Sequence, residues 1–358
     1  MEFQHININY GTEKCGGKGC SRKNNQAYRS MKDLTVIIPV YNAALLIDRC
    51  LDSIFSQRGE YQIEVICVDD GSTDDSVERI RRRQETSIRL ITQQNSGPAS
   101  ARNKGIFAAE GHCIAFLDAD DYWMPDFVER TLGFLHAHRE CIAVSVGQRH
   151  ITMSGESVKP DGIENFDEPM VLGDFFEFWA KYNHICTGSI VIRTEVACRA
   201  GGQREDLRIC EDLEYWALLA TYGTVGFIPE ILFVSDGNKI SKHYGFKKYA
   251  LRFRNIQTFD SWQRRLVVRM SESDLKCIRP RLNDIVIGIS RSLILVGEYK
   301  RARWNLRYYT LVGTPHYIAK VNSYGAMAWY MFASFYRLYK KVKMNSSCYY
   351  HKVFKWKG

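Results

Sequence analysis

The sequence predicts an α/β fold: a mostly parallel sheet with helices on both faces. Three observations carry that expectation. Short apolar, β-branched runs recur four times between residues 34 and 117, amphipathic stretches of helical spacing separate them, and acid-rich polar turns follow several of the runs. Strands alternating with helices imply parallel strands joined by crossovers, with ligands taken at the strands' carboxyl ends.

The first run is Leu34-Thr35-Val36-Ile37-Ile38-Pro39-Val40, apolar throughout, as a strand buried on both faces requires. Leu45, Leu46, Cys50, Leu51, Ile54 and Phe55 then recur at helical spacing, giving a helix up to about Gln57. Ile63–Val68 is a second strand, entering Asp69-Asp70-Gly71-Ser72-Thr73-Asp74 and an Arg-rich helix, and Ile88–Thr92 is a third. Pro98–Glu110 reads as a helix, with Pro in its first turn and Gly111 beyond its end. His112–Leu117 is a fourth strand, ending in Asp118-Ala119-Asp120-Asp121. Past about residue 145 the pattern is less regular. Residues 151–170 read as a loop or hairpin, helical text returns near 171–182 and 211–221, and a mostly helical, basic region fills 241–358. Residues 1–32 read as a polar, disordered leader, with Met31 placed like a natural start.

Composition narrows the class further. The eleven cysteines form no disulfide pattern: Cys67 and Cys113 lie inside apolar runs, and the lone Cys15–Cys20 spacing has no partner ligands nearby for zinc. A reducing, cytoplasmic setting follows from that usage. No run of eighteen apolar residues offers a spanning helix. The net charge of +9 is concentrated at one end: after Glu298 there is no acidic residue and there are twelve Lys and Arg. Within that stretch, apolar Ala326–Tyr336 is followed by Arg337, Lys340, Lys341 and Lys343. Two readings stay open for it: a helix lying peripherally on the anionic inner face of the plasma membrane, or a helix packed on the rest of the protein with its lysines in water. No nucleic-acid partner is expected, because no RNA-recognition motif is present.

Three motifs carry chemistry. Asp118 and Asp120 at a strand end can converge on one hard cation, Mn²⁺ or Mg²⁺, that keeps sites for phosphate oxygens and water. The bland alternative is a solvated acidic turn. Asp70 can accept a hydrogen bond from a nucleobase imide while Gly71 allows the tight turn, or it can merely help cap the next helix. The small-residue start at Gly97-Pro98-Ala99 offers N–H groups to an anion, and Arg102 either reaches a base or phosphate or is solvated.

Taken together, Pro39-Val40-Tyr41-Asn42, Asp69-Asp70-Gly71-Ser72, Gly97 with Ala101-Arg102-Asn103 and Gly105, and Phe116-Leu117-Asp118-Ala119-Asp120-Asp121 occur in order at short intervals. This ordered set resembles the family 2 glycosyltransferases, an inverting group with the GT-A fold, over residues 34–240. The resemblance implies that Pro39, Tyr41, Asn42, Asp70, Gly97, Arg102, Asp118 and Ala119 face a nucleotide-sugar donor, with Tyr41 near the base and Asp70 reading a uracil. It implies Asp120 as the metal-binding acid, with Asp118 beside it on the metal or ribose. Cys210-Glu211-Asp212-Leu213 resembles the family's Glu-Asp motif, with Asp212 as general base and Glu211 as the second choice. First-turn acids that favour a helix dipole are the ordinary alternative.

The implied activity is metal-assisted, inverting transfer of one sugar from a nucleotide-diphosphate sugar, with UDP as the expected nucleotide, to a hydroxyl of a glycan or lipid-linked acceptor in surface polysaccharide synthesis. Processive members carry a Gln-x-x-Arg-Trp motif, of which Trp262-Gln263-Arg264-Arg265 is only a superficial echo. Lys242 or His243 is a further candidate contact for the diphosphate or metal. A nucleotidyltransferase would need a Gly-rich, basic loop after the first strand, and Val40-Tyr41-Asn42-Ala43 is not one. A non-catalytic module binding a nucleotide or an anionic surface is the third reading.

Overall fold

The structure, a computed structural model, describes residues 32–151, 155, 157–159, 163–236, 256–308 and 325–345. Lys242, His243 and nearly all of the expected leader lie outside the described residues.

Strands β1 (Lys32–Val40), β2 (Ile63–Asp69), β3 (Ile88–Thr92) and β4 (Gly111–Phe116) pair in the order β3-β2-β1-β4, all parallel. Helices α1 (Ile47–Phe55), α2 (Ser76–Arg81) and α3 (Pro98–Ala108) form the crossovers. Pro39 is tolerated in this central strand because β4 pairing stops at Ile37–Phe116, so no β4 hydrogen bond is asked of its missing N–H. Gly105 sets how close α3 lies to the sheet: a Cβ there would sit 2.3 Å from Ile37 Cγ2.

The second half of the sheet holds the antiparallel strands of this mostly parallel sheet. After β5 (Tyr122–Trp123) and α4 (Phe127–Ala137) come β6 (Cys141–Ile151) and β7 (Ser157–Val158), an antiparallel pair that realises the hairpin expected over 151–170. Beyond β8 (Met170–Val171) and α5 (Phe175–Lys181), strand β9 (Ile190–Arg193) runs antiparallel between β4 and β6. A three-residue apolar run, Ile190–Ile192, fixes burial but not direction, which the connections decide. Helices α6 (Thr194–Arg199) and α7 (Glu211–Ala220) lead to β10 (Thr224–Asp236), parallel to β6 and antiparallel to β5 and β8. Pro229 sits at a register shift of that pairing, where a ladder donor is not needed, and Gly147 lies opposite with its Cβ position 2.3 Å from Pro229 O.

Successive residues of β1 feed opposite faces of the sheet. Val36, Ile38 and Val40 join one apolar cluster with α1 and α4, and Ile37 joins the other. That second cluster continues past residue 240. Trp262 of α8 (Phe259–Gln263), Ile285, Ile289 and Leu293 of α10 (Arg279–Val296), Leu306 of α11 (Tyr299–Tyr308) and Trp329 and Ala333 of α12 (Ala326–Asn345) share it with Phe116 and Trp216. Helix α9 (Glu272–Cys277) begins with a capping box at Ser271 and Asp274. The eight described cysteines are all free thiols, and burial pushes Cys67 up to about 12 and Cys113 up to about 11. Among the described residues, no helix is long and apolar enough to cross a membrane.

Candidate active site

The polar turns after β1, β2 and β4 gather at one edge of the sheet, where the carboxyl ends of parallel strands leave a crevice. Tyr41 stands half exposed at the end of β1, its ring free to meet a planar group. Asn42 follows in a left-handed conformation (φ 51°), and its side chain is used within the protein: Oδ1 accepts from Thr73 N at 2.8 Å. The hydroxyls of Ser72 and Ser76 accept from the N–H groups of Asn42 and Ala43. The two turns are thus stitched together, and Asn42 is a brace between them.

Asp70 is buried and accepts three hydrogen bonds, from Gln93 Nε2 (2.7 Å) and Ser96 N (2.7 Å) at Oδ1 and from Gly97 N (2.9 Å) at Oδ2. Of the N–H groups at this helix start, that of Gly97 is therefore turned on the protein's own carboxylate. Gly97 supplies the turn itself, with φ at 94°.

Arg102 is buried rather than solvated. Its Nη2 donates to Asp118 Oδ1 at 2.7 Å, Nη1 donates to Gln203 Oε1 at 3.4 Å, and Nη1 lies 4.0 Å from Glu211 Oε1. The helix thus places a cation between the two acidic motifs. Asn103 beside it donates to Gln203 O (2.8 Å) and accepts from Gln203 N (2.7 Å), fixing the loop that leads to Glu211.

Asp118-Ala119-Asp120-Asp121 turns tightly, with Asp121 N donating to Asp118 O at 2.9 Å and Ala119 buried beneath. Burial and then the charge of Asp118 push Asp120 up to about 6, against a pull from Arg49. Burial and the charges of Asp120 and Asp118 also hold Asp121 well above the usual carboxylate range. Asp121 Oδ1 accepts from Asp236 N at 3.0 Å, tying the turn to the end of β10. Arg49 on α1 donates to Asp120 O, pairs with Asp236 and stacks on the Tyr122 ring. Nothing in the sequence pattern around Arg49 marks this role.

Glu211 and Asp212 open α7. The preceding Cys210 is left-handed (φ 56°), an unfavourable conformation for a non-glycine residue held by its surroundings. Trp262 Nε1 donates to Cys210 O at 2.8 Å. Arg265 pairs with buried Glu214 and donates to Gly202 O at 3.0 Å. The Trp262–Arg265 segment, only an echo of a family motif in sequence, braces the helix that carries both acids. Burial and then the neighbouring Glu211 charge push Asp212 up to about 7, and Arg102 draws it partly back.

A divalent cation fits the acid cluster chemically. Crowded oxygen donors with raised affinity for protons are short of positive charge, and hard cations take such ligands. Among the described residues no third His, Cys, Asp or Glu completes a set of three ligands. Asp120 with Asp118 would thus hold the ion with part of its shell left for ligand oxygens and water.

The sheet, its crevice and the placement of these motifs define a GT-A type fold. Residues 35–202 match the family described as Glycosyl transferase family 2. The chain is 28% identical over 248 residues to glycosyltransferase GlyA of Streptococcus pneumoniae, covering 67% of this chain and 34% of that protein. It is 30% identical over 246 residues to an uncharacterized glycosyltransferase of Rickettsia felis, covering 68% of this chain and 40% of that one. The chain spans about two fifths or less of these two relatives. In fold it is similar to residues 1–349 of S. aureus TarS, solved in complex with UDP, at 15% identity and a TM-score of 0.57 over 88% of this chain and 90% of that one.

Proposed function

We propose that this protein transfers a single sugar from a nucleotide-diphosphate sugar, with UDP as the nucleotide, to an acceptor hydroxyl with inversion at the anomeric carbon. The acceptor class is a growing surface glycan or a lipid-linked saccharide. The observation that carries the reading is the arrangement around Arg102: one buried guanidinium faces Asp118 of the first acidic motif and Glu211 of the second. Asp212 beside it is held near 7, where a carboxylate is a competent base at neutral pH.

In this reading Tyr41 lies along the base, Asp70 holds the loop that frames it and reads the uracil imide with its remaining lone pair, and Asp118 faces the ribose end. Asp120 with Asp118 would hold Mn²⁺ or Mg²⁺, which would supply charge neutralisation for the diphosphate leaving group. Asp212 takes the acceptor proton as the new bond forms, and Glu211, 4.0 Å from Arg102, orients that guanidinium. Attack from the face away from the nucleotide needs no covalent enzyme intermediate. The family match and the UDP-bound structure of the similarly folded TarS support the donor class.

The test is calorimetric titration of UDP, with GDP and CDP as controls, with and without Mn²⁺, on the natural protein and on Asp120→Ala. Metal-dependent UDP binding that is lost in the variant supports the donor and its site. Binding of another nucleotide alone overturns the donor, and no nucleotide binding by folded protein overturns the reading.

A further inference from the structure

Helix α12 has two apolar faces. Trp329, Ala333 and Tyr336 are buried against the core. On the opposite side Met327, Met331, Phe335, Leu338 and Val342 are 60–80% exposed. Their spacings of four, four, three and four residues set them along one line of the helix. A packed surface helix normally turns a polar face outward, and scattered exposed apolar residues need no explanation, but a continuous line of five marks an interaction surface.

The charge around this line selects the occupant. From Tyr299 to Gly358 the chain has no acidic residue and twelve Lys and Arg. Lys341 is exposed at the border of the stripe, and on neighbouring α11 Lys300, Arg307 and Trp304 are exposed as well. A second copy seated on this helix would bring exposed Lys341 and the cations of α11 against their own counterparts, so self-association is disfavoured. A surface of anionic lipid headgroups over an apolar layer matches both features.

We infer that α12 docks the protein on an anionic lipid surface. The stripe enters the boundary between headgroups and acyl chains, and the basic residues beside it meet phosphates. The core-facing residues stay packed, so docking requires no unfolding. The inference does not depend on the donor, because it concerns a face apart from the acidic motifs.

The experiment is sedimentation of the full chain with vesicles of phosphatidylglycerol and, separately, of phosphatidylcholine, without any nucleotide. Binding is expected to phosphatidylglycerol only and to weaken with salt. The combined change Met331→Ser, Phe335→Ser, Leu338→Ser is expected to weaken it by about tenfold or more, since apolar burial carries interfacial affinity. An unchanged melting temperature shows that the variant is folded, and Lys341→Glu, which leaves the stripe intact, should also weaken binding. Three outcomes overturn the inference: no binding to either vesicle, equal binding of the triple variant, or a dimer of the natural protein by light scattering that the triple variant dissolves.

Discussion

Arg102 Nη2 donates to Asp118 Oδ1 at 2.7 Å, and its Nη1 lies 4.0 Å from Glu211 on the other side. The guanidinium is buried and planar, so it fixes the separation of two acidic motifs that arise far apart in the chain. Lysine would keep the charge but, as a compact ammonium on a flexible stem, could not hold both directions. Arg102→Lys is expected to lower sugar transfer by about 10²-fold, the scale of a misplacement near 1 Å. Initial rates measured beside UDP binding decide it: a rate loss with the protein folded supports the bridge, and unchanged transfer removes it.

Asp212 gives the pH dependence a definite sign. A general base works as the carboxylate, and burial with the Glu211 charge holds this one near 7. Below that value the group is protonated, so the rate should rise about tenfold per pH unit toward 7 and level off above it. Asp212→Asn should cost about 10²- to 10⁴-fold in rate, lose that limb of the profile and leave donor binding unchanged. Stability moves in the opposite sense. The folded protein favours the neutral acid, so this contribution is present below the ordinary carboxylate range and is lost as pH rises through about 7. At pH 8 the asparagine variant should therefore melt higher than the natural protein, as calorimetric scanning would show.

Most of the first half of the sheet was legible because β1, β2 and β4 are largely buried on both faces. Val36, Ile37 and Ile38 are uniformly apolar, the mark of a strand covered on both faces. The acidic motifs were legible because carboxylates at the end of an apolar strand have few structural reasons to be there. Strands β6 and β10 escaped notice because they mix polar and turn residues, Ser145, Gln148 and Pro229, into long runs. Asn42 and Gly97 were legible as turn residues, yet their hydrogen bonds run inward, which only the paired turns reveal. Arg49 carries no motif, and Trp262 only a superficial echo of one. Their importance comes from what the fold places against them, the Asp120 carbonyl and the Cys210 carbonyl.

Trp262 offers a test of that bracing. Its indole N–H holds Cys210 O where the backbone turns left-handed, one residue before Glu211. Trp262→Phe keeps most of the packing and removes the hydrogen bond, so about 1 kcal/mol of stability should be lost. If the bond positions the base, kcat should fall while the KM for donor holds. Trp262→Ala should cost about 3–5 kcal/mol, the range for deleting a large buried aromatic. Denaturant unfolding read beside the kinetics separates the two effects. A rate loss in the phenylalanine variant that merely tracked the fraction unfolded would leave Trp262 as packing alone.

Asp70 poses the sharper question, because its carboxylate is already engaged by Gln93, Ser96 and Gly97. An ionised carboxyl has about four lone-pair sites, so three internal donors leave roughly one for a ligand. Asparagine cannot serve all four, since its amide nitrogen only donates and would oppose one of the present donors. Asp70→Asn should therefore lose about 1–3 kcal/mol of stability through an unsatisfied N–H. Its effect on ligands depends on where the fourth site points. If that site meets the imide N–H of a uracil, the variant should lose its preference for UDP over CDP, whose base has no such donor, while the shared diphosphate contacts persist. If Asp70 serves only to hold the loop, both nucleotides should weaken by the same factor. We expect the selective loss, and parallel titrations of UDP and CDP into the folded variant measure it.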